Sequence, residues 1–333
     1  MAITLAESKN NAVEDYDPAV IDEFRKESAV LDSLIFDDVV NPAGGGATLD
    51  YGYRRLKTQP TASFRELNTE YSESNVETEK FSVTLGVLGG AFSVDRVLAQ
   101  LGPAASSNVT LNMTQKIKAA TTKFQDEVIN GDVATDANGF DGLDKALVGT
   151  STEFRADVVT DWTDFDTDTR AEFKALDALD EFLGLLDGTP TVIVGNKAAL
   201  VRVRAAVRRA SMYTKDPVDG LVGANGRPIV RETYGGILLV DAGDKAGSSS
   251  PIVPVEDRTV GTAQTGLTDL YAYRVGIDGF HGIATAGGQL VRSWLPDFTT
   301  AGAVKKGEVE LGPIGIALKA SRAAAVWRNI KVR

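Results

Sequence analysis

The chain has 333 residues, 43% hydrophobic and 24% charged, with 46 acidic against 35 basic side chains and a formal net charge of −11. This is an ordinary globular composition with material for about two domains, and its acidity argues against a dedicated nucleic-acid binder. Cysteine is absent and histidine occurs once, at His281, which excludes disulfides, thiolate metal sites, cysteine nucleophiles and His-pair metal motifs.

The start, MAITLAESKNN, has neither a basic end nor an apolar run, so it does not read as a signal peptide. No stretch approaches 18 consecutive apolar residues, so no membrane span is expected. The first forty residues read as an arm followed by one helix. Asp17 can cap it, Pro18 can take the first helical position, and Val20, Ile21, Phe24, Leu31, Leu34 and Ile35 recur at helical spacing. Asn41-Pro42 and Gly44 to Gly46 end the segment. A long hairpin follows, in which Leu49, Tyr51 and Tyr53, and later Phe81, Val83, Leu85 and Val87, alternate with polar residues. Between them runs a polar, Glu-rich stretch almost without aliphatic side chains. A two-stranded ribbon of this length does not stabilise itself in water, and its open edges invite pairing with another chain.

The spacing then predicts a helix from about Asn108 to Asn130, capped by Ser106 or Ser107. Val109, Met113, Ile117, Ala120, Phe124 and Val128 form its stripe, and Asn130-Gly131 is its stop. The turn NGFDGL (138 to 143) precedes a second helix from near Asp166, with Phe173, Leu176, Leu179, Leu183 and Leu186 expected inward and Gly188 closing it. Thr191 to Val194 reads as a buried strand turning through Gly195-Asn196 into a helix with Leu200, Val203 and Val207 on one side. Strands are further expected at 229–230, 237–240, 271–277, 289–294, 304–311 and 314–318. Acidity is concentrated: between Asp126 and Asp187 stand 17 acidic residues against four basic ones, leaving the remainder nearly neutral. The plain reading of that block is a solvated face.

No constellation supports catalysis. Asp164, Asp166 and Asp168 have calcium-loop spacing, but the positions that should hold Gly and the closing Glu are Thr169 and Ala175, so helix capping is the better account. VGNKAAL (194 to 200) contains neither nucleotide-binding glycine pattern and reads as a plain βα turn. Lys197, Arg204 and Arg208 fall on one helix flank and Arg202 and Arg209 on another. Without interleaved aromatics they read as a salt-bridged face or a subunit contact. His281 has no G-x-S-x-G partner and reads as structural. Catalytic residues, cofactors and metals are all expected to be none.

Taken in order, these features resemble the major capsid protein family of tailed bacteriophages. The closing stretch VKKGEVELGPIGIALKASRAAAVWRNIKV is the most family-like part, and the likeness covers essentially the whole chain. The resemblance implies an α+β, HK97-like capsid fold. It assigns an N-terminal arm with a short helix to 1–46, an extended β-hairpin loop to 47–88, a peripheral domain with a spine helix to 89–188 together with 290–333, and an axial α/β domain to 189–289. The implied function is a virion shell protein, not an enzyme, that self-assembles through pentamers and hexamers into an icosahedral head enclosing double-stranded DNA without sequence-specific binding. Assembly would take place in the host bacterial cytoplasm, without a membrane, beside portal and decoration proteins. The start at Met1, almost directly with the arm, leads to the expectation of a separate scaffold or none.

Inter-subunit contacts are expected at Phe24, Leu31, Leu34, Tyr51, Tyr53, Arg54, Lys57, Phe64, Arg65, Glu66, Glu70, Tyr71, Arg204 and Arg208. The glycine joins at 44 to 46, 89 to 90 and 131 are expected to give hinge freedom. Some family members close their shells with a Lys–Asn isopeptide; Lys57 is suitably placed, but 299 to 321 contains no Asn, so closure without covalent links is expected. Three other readings stand beside this one: an encapsulin-like nanocompartment shell, a soluble α/β enzyme, and a β-rich tail or adhesion protein.

Overall fold

The computed structural model describes residues 30, 33–40, 48–99, 102–166, 168–211, 215–222, 228–285 and 290–333. Most of the expected arm helix, with Phe24 and Leu31, and the Gly44 to Gly46 join lie outside the described residues. In chain order come β1 (Phe36–Val40), β2 (Asp50–Thr58), β3 (Glu77–Thr84), β4 (Gly86–Asp95), the long helix α1 (Gly102–Asn130), α2 (Leu143–Ala146), β5 (Glu153–Phe154), β6 (Thr160–Asp161) and α3 (Ala171–Leu183). The second half holds β7 (Val192–Gly195), α4 (Lys197–Arg209), β8 (Lys215–Val222), β9 (Pro228–Tyr234), β10 (Ile237–Asp241), β11 (Glu256–Val260), β12 (Thr262–Tyr273), β13 (Phe280–Thr285), β14 (Val291–Trp294), β15 (Val304–Leu318) and β16 (Ala324–Lys331). The class is mixed α+β, as the sequence implied.

These strands make two sheets and one free ribbon. The five-stranded sheet runs β1-β13-β15-β14, with β4 also paired to β15; the nine-stranded sheet runs β5-β16-β12-β7-β10-β9-β8, with β11 on β12 and β6 on β16; among the described residues β2 and β3 pair only with each other. β13 and β16 are placed by their sheet partners. β13, expected with the axial part, joins the five-stranded sheet. β16, expected with the peripheral part, joins the nine-stranded one. The reason lies in β16 itself: Ala324, Ala325, Val326 and Trp327 are all fully buried, and a strand apolar on both faces needs an interior position between neighbours.

Helix α1 has 29 residues, about 43 Å, and starts ahead of Ser106 and Ser107, which lie inside it rather than capping it. Its expected stripe holds, but unevenly: Val109, Met113 and Ile117 are half-buried, whereas Ala120, Phe124 and Val128 are buried. The helix ends where the chain folds back under it, with the Phe124 and Phe140 rings 5.7 Å apart. Gly131 is there for close approach, not for freedom, because a Cβ on it would stand 2.3 Å from the Phe140 carbonyl oxygen. Gly89, the other expected hinge, sits within β4, where a Cβ would meet the Val309 carbonyl oxygen at 2.6 Å.

On the nine-stranded sheet, α3 and α4 cover an aromatic cluster centred on Trp327. That ring lies 5.1 Å from Phe154 and 5.0 Å from Trp162, edge to face in both cases. Helix α3 buries Ala175, Leu176, Ala178, Leu179 and Phe182, while Phe173, expected inward, is exposed. Its start is not capped by an aspartate: Arg170 precedes it at φ +62° with no side-chain cap. The aspartates act locally instead, Asp164 accepting from the Asp166 amide at 2.7 Å and Asp168 pairing with Lys174 at 2.5 Å. Asn196 caps α4, accepting from the Ala198 amide at 2.8 Å, and its amide donates to the Val253 carbonyl at 2.6 Å. That loop is a plain βα turn, as read.

A polar weld joins α2, β5, β11, β12 and β16. Asp269, almost fully buried, accepts from Arg258 at 2.7 and 2.9 Å and from the Asn329 amide at 3.0 Å. Arg328 pairs with Asp144 and, at 3.0 Å, with Glu153. Removing one member of a buried pair strands its partner's charge. Asp269→Ala is therefore expected to cost about 3–5 kcal/mol of stability, read as a large fall in the denaturant midpoint; a midpoint unchanged from wild type would show that the weld carries no such weight.

Candidate functional site

The most distinctive feature is the β2–β3 ribbon. Its register runs from Asp50↔Thr84 at the root to Thr58↔Glu77 at the far end, with a bulge between Leu56 and Thr58. Nine residues of β2 give a reach of about 30 Å, and residues 59–76 form the tip beyond. Along β2 the only buried side chain is Tyr51; from Leu56 outward everything is exposed.

The root is held mainly by polar clamps. The Tyr51 hydroxyl donates to Asp37 on β1 at 2.9 Å. The Tyr53 hydroxyl donates to the Leu318 carbonyl at 3.1 Å, and Arg55 donates to the carbonyls of Lys319, at 2.9 Å, and Leu318. The Arg55 guanidinium also lies over the Phe81 ring, 4.3 Å from its centre. Arg55 was not among the expected contacts; a single Arg in an alternating strand reads as solvated charge. A small apolar cluster of Val40, Tyr51, Leu85, Ile283 and Ala317 backs the clamp.

His281 lies beneath this junction, fully buried. Its Nε2 is 3.5 Å from the Tyr51 hydroxyl and 3.9 Å from Asp37, and Lys319 approaches the same carboxylate at 3.9 Å. Burial and the nearby Lys319 ammonium lower the His281 pKa below its ordinary 6.5, against the opposing pull of Asp37. Burial and the hydrogen bond to Asp37 push the Tyr51 hydroxyl far up.

The tip has an ordered shape of its own. Thr61 and Ser74 hydrogen-bond across its base, at 3.1 Å from the Thr61 amide and 3.2 Å to the Thr61 carbonyl. Asn68, at φ +68°, completes a turn in which the Thr69 amide donates to Glu66 at 3.3 Å. The Arg65 guanidinium lies 5.2 Å from the centre of the Tyr71 ring. This turn presents Phe64 at 107% exposure, Leu67 at 90% and Tyr71 at 62%. Leu67 was missed in the sequence because it stands alone in a polar stretch.

The expected contact residues thus divide. Arg54, Lys57, Phe64, Arg65, Glu66, Glu70 and Tyr71 lie on the ribbon and are exposed; Arg204 and Arg208 are exposed on α4. Leu34 and Tyr51 are buried within the chain itself, Leu34 in the cluster that also holds Phe124 and Val128 of α1 and Tyr51 at the ribbon root. Tyr53 is half-buried and engaged with Leu318 and Phe81, whose ring stacks on it at 5.7 Å.

Comparison of the whole structure with solved ones decides the fold. The chain is similar over 100% of its length, and 97% of the other chain, to an encapsulin complex from Synechococcus elongatus, with a TM-score of 0.62 and 16% identity. It is similar to a structure from Mycobacterium phage Adephagia over 99% of both chains (TM-score 0.57, 14% identity) and to the capsid of Myoviridae phage XM1 over 98% of both (TM-score 0.54, 14% identity). The chain has the HK97-like capsid fold. No family model matches the sequence, and no curated protein does. Within that fold, β2–β3 is the extended loop and α1 the spine helix expected from the sequence.

The His281 geometry sets a pH dependence. A group whose pKa is lower in the folded state is better accommodated neutral, so the unfolded chain binds the proton more tightly and folding stability is lost as pH falls. The loss should set in below the ordinary 6.5, and His281→Gln should flatten that part of the curve. Denaturant melts from pH 8 to pH 5, buffered identically, would check it; an unchanged slope in the variant would remove His281 as the cause.

Proposed function

We propose that this chain is the major capsid protein of a tailed phage, building through pentamers and hexamers an icosahedral head shell around double-stranded DNA. The reading is carried by one observation: a capsid fold bearing a ribbon about 30 Å long, anchored at its root and presenting Phe64, Leu67 and Tyr71 uncovered at its tip. Large apolar side chains grouped on an exposed projection mark an interaction site, and here the partner is an adjacent copy. Repetition by symmetry lets a contact of this modest size hold a shell. The purified protein should form closed megadalton particles, seen by electron microscopy, with nuclease-protected DNA in particles from infected cells.

A second reading has a specific observation behind it, the full-length likeness to an encapsulin complex: a nanocompartment shell without a genome. Particles that carry a cargo protein and no DNA would favour it over the phage head.

Phe64→Asp with Leu67→Asp tests the ribbon's part. Because neither side chain is buried in the chain, the unassembled variant should melt within about 0.5 kcal/mol of wild type while failing to close shells. Normal shells from the variant would remove the tip as a contact.

Closure is proposed to be non-covalent, since Lys57 stands at the outer end of β2 and 299 to 321 offers no Asn. Mature particles boiled in detergent should give one band at the mass of a single chain. A ladder of multiples on the denaturing gel would overturn this.

A further inference from the structure

We infer that Arg55 is the positioning residue of the ribbon: its guanidinium, held against the Leu318 and Lys319 carbonyls, fixes the angle at which β2–β3 leaves the body and thereby keeps the shell to one diameter. The inference deepens the shell reading and rests on it.

The ribbon offers Arg55 a nearer partner than the ones it takes. In the observed register Glu79 stands directly across from it, on the same face, where opposite charges pair favourably. Arg55 turns the other way. Its Nε donates to the Lys319 carbonyl at 2.9 Å, and a terminal nitrogen donates to the Leu318 carbonyl and, at 3.3 Å, to the Tyr53 hydroxyl. Glu79 is left exposed, and no described residue forms an ion pair with it.

The other clamps constrain the joint less. Tyr51 and Tyr53 each reach one acceptor in the body, and a single hydrogen bond leaves the chain free to turn about its axis. Arg55 instead binds two successive carbonyls with a planar, rigid fork. The same guanidinium lies 4.3 Å from the centre of the Phe81 ring and 5.5 Å from that of Tyr53, and these two rings stack with their planes 17° apart. One plane is thus shared between the end of β15 and both strands of the ribbon, which sets pitch and roll together.

Leverage makes that angle matter. Phe64 lies nine residues beyond Arg55, up to about 30 Å of extended chain. At that radius a rotation of about 10° carries the tip about 5 Å, beyond the ~4.5 Å reach of an apolar contact. Identical contacts close into one kind of shell only where the rotation between copies is fixed. A loose ribbon admits several rotations, and so several curvatures.

The test exploits the absence of cysteine. Ser72→Cys on the tip and Ser249→Cys on the body, both exposed, take spin labels, and pulsed electron paramagnetic resonance then gives the spread of tip-to-body distances in the unassembled full chain. Arg55→Lys keeps the charge and loses the fork; Glu79→Gln and Arg54→Lys are controls on the same ribbon. Arg55→Lys should widen the distance spread about two-fold or more, and broaden particle diameters in electron micrographs by a similar factor. Both controls should match wild type in both readouts. An arginine that only stabilised the fold would lower the melting temperature and leave both spreads as they were. Arg55→Lys chains with distances or diameters as narrow as wild type would overturn the inference, as would an equal widening by Glu79→Gln. If wild type forms no closed particle, the shell reading itself fails whatever the distances show, and the role in setting diameter falls with it.

Discussion

A two-stranded ribbon with no sheet behind it has no core of its own, so its direction is set entirely at its root. Here the root is fixed by side chains that reach backbone carbonyls: Tyr53 and Arg55 hold Leu318 and Lys319, while Tyr51 holds Asp37 on β1. Donors aimed at carbonyls fix an angle in a way that a small apolar patch does not, because a hydrogen bond weakens steeply when it is bent. The patch beneath, of five buried residues, seals the joint from water. The segments meeting there are β1, the ribbon, and the end of β15 with the residue that follows it. A change in any one of them is therefore felt in where the tip points, far from the altered residue.

The body obeys a different rule. Its two sheets share α1 and an apolar cluster that includes Phe124, Tyr271, Tyr273 and Ile316. The nine-stranded sheet adds the Trp327 cluster on its helix-covered face. Interiors this closely packed transmit displacement instead of absorbing it. Of the glycines expected to act as hinges, Gly89 and Gly131 fit that picture, since they allow backbone to approach backbone and so stiffen their surroundings.

What the sequence made legible follows from period. The steps of four and three from Val109 to Val128 gave the spine helix, and alternation at Leu49, Tyr51 and Tyr53 against Phe81 and Val83 gave the ribbon. Asn196 before an apolar stripe gave α4. Period does not report which side chains a neighbour covers. Leu34 and Tyr51, expected as contacts, share clusters with Phe124 and Ile283, which are distant in sequence. The strands over 256–269 escaped notice because EDRTVGTAQTGLTD is polar; β11 is tied to β12 through Arg258 and Asp269, a pairing that periodicity does not reveal. The tail is continuous in sequence, and its pattern does not show that Val304–Leu318 and Ala324–Lys331 enter different sheets across one short turn.

Charge in this chain is consequently of two kinds, and their environments separate them. Around Asp269 and Arg328 ions are paired away from water, where an unmatched charge is costly, so these residues tie distant segments into one arrangement. On α3 and α4 the ions face solvent, where individual pairs contribute little to the stability of one chain. The signs are interleaved on both helices, Arg204 pairing with Glu232 on β9, Arg155 with Glu181 and Lys174 with Asp168, and interspersed charge of this kind serves the solubility of the surface without building a large field of one sign.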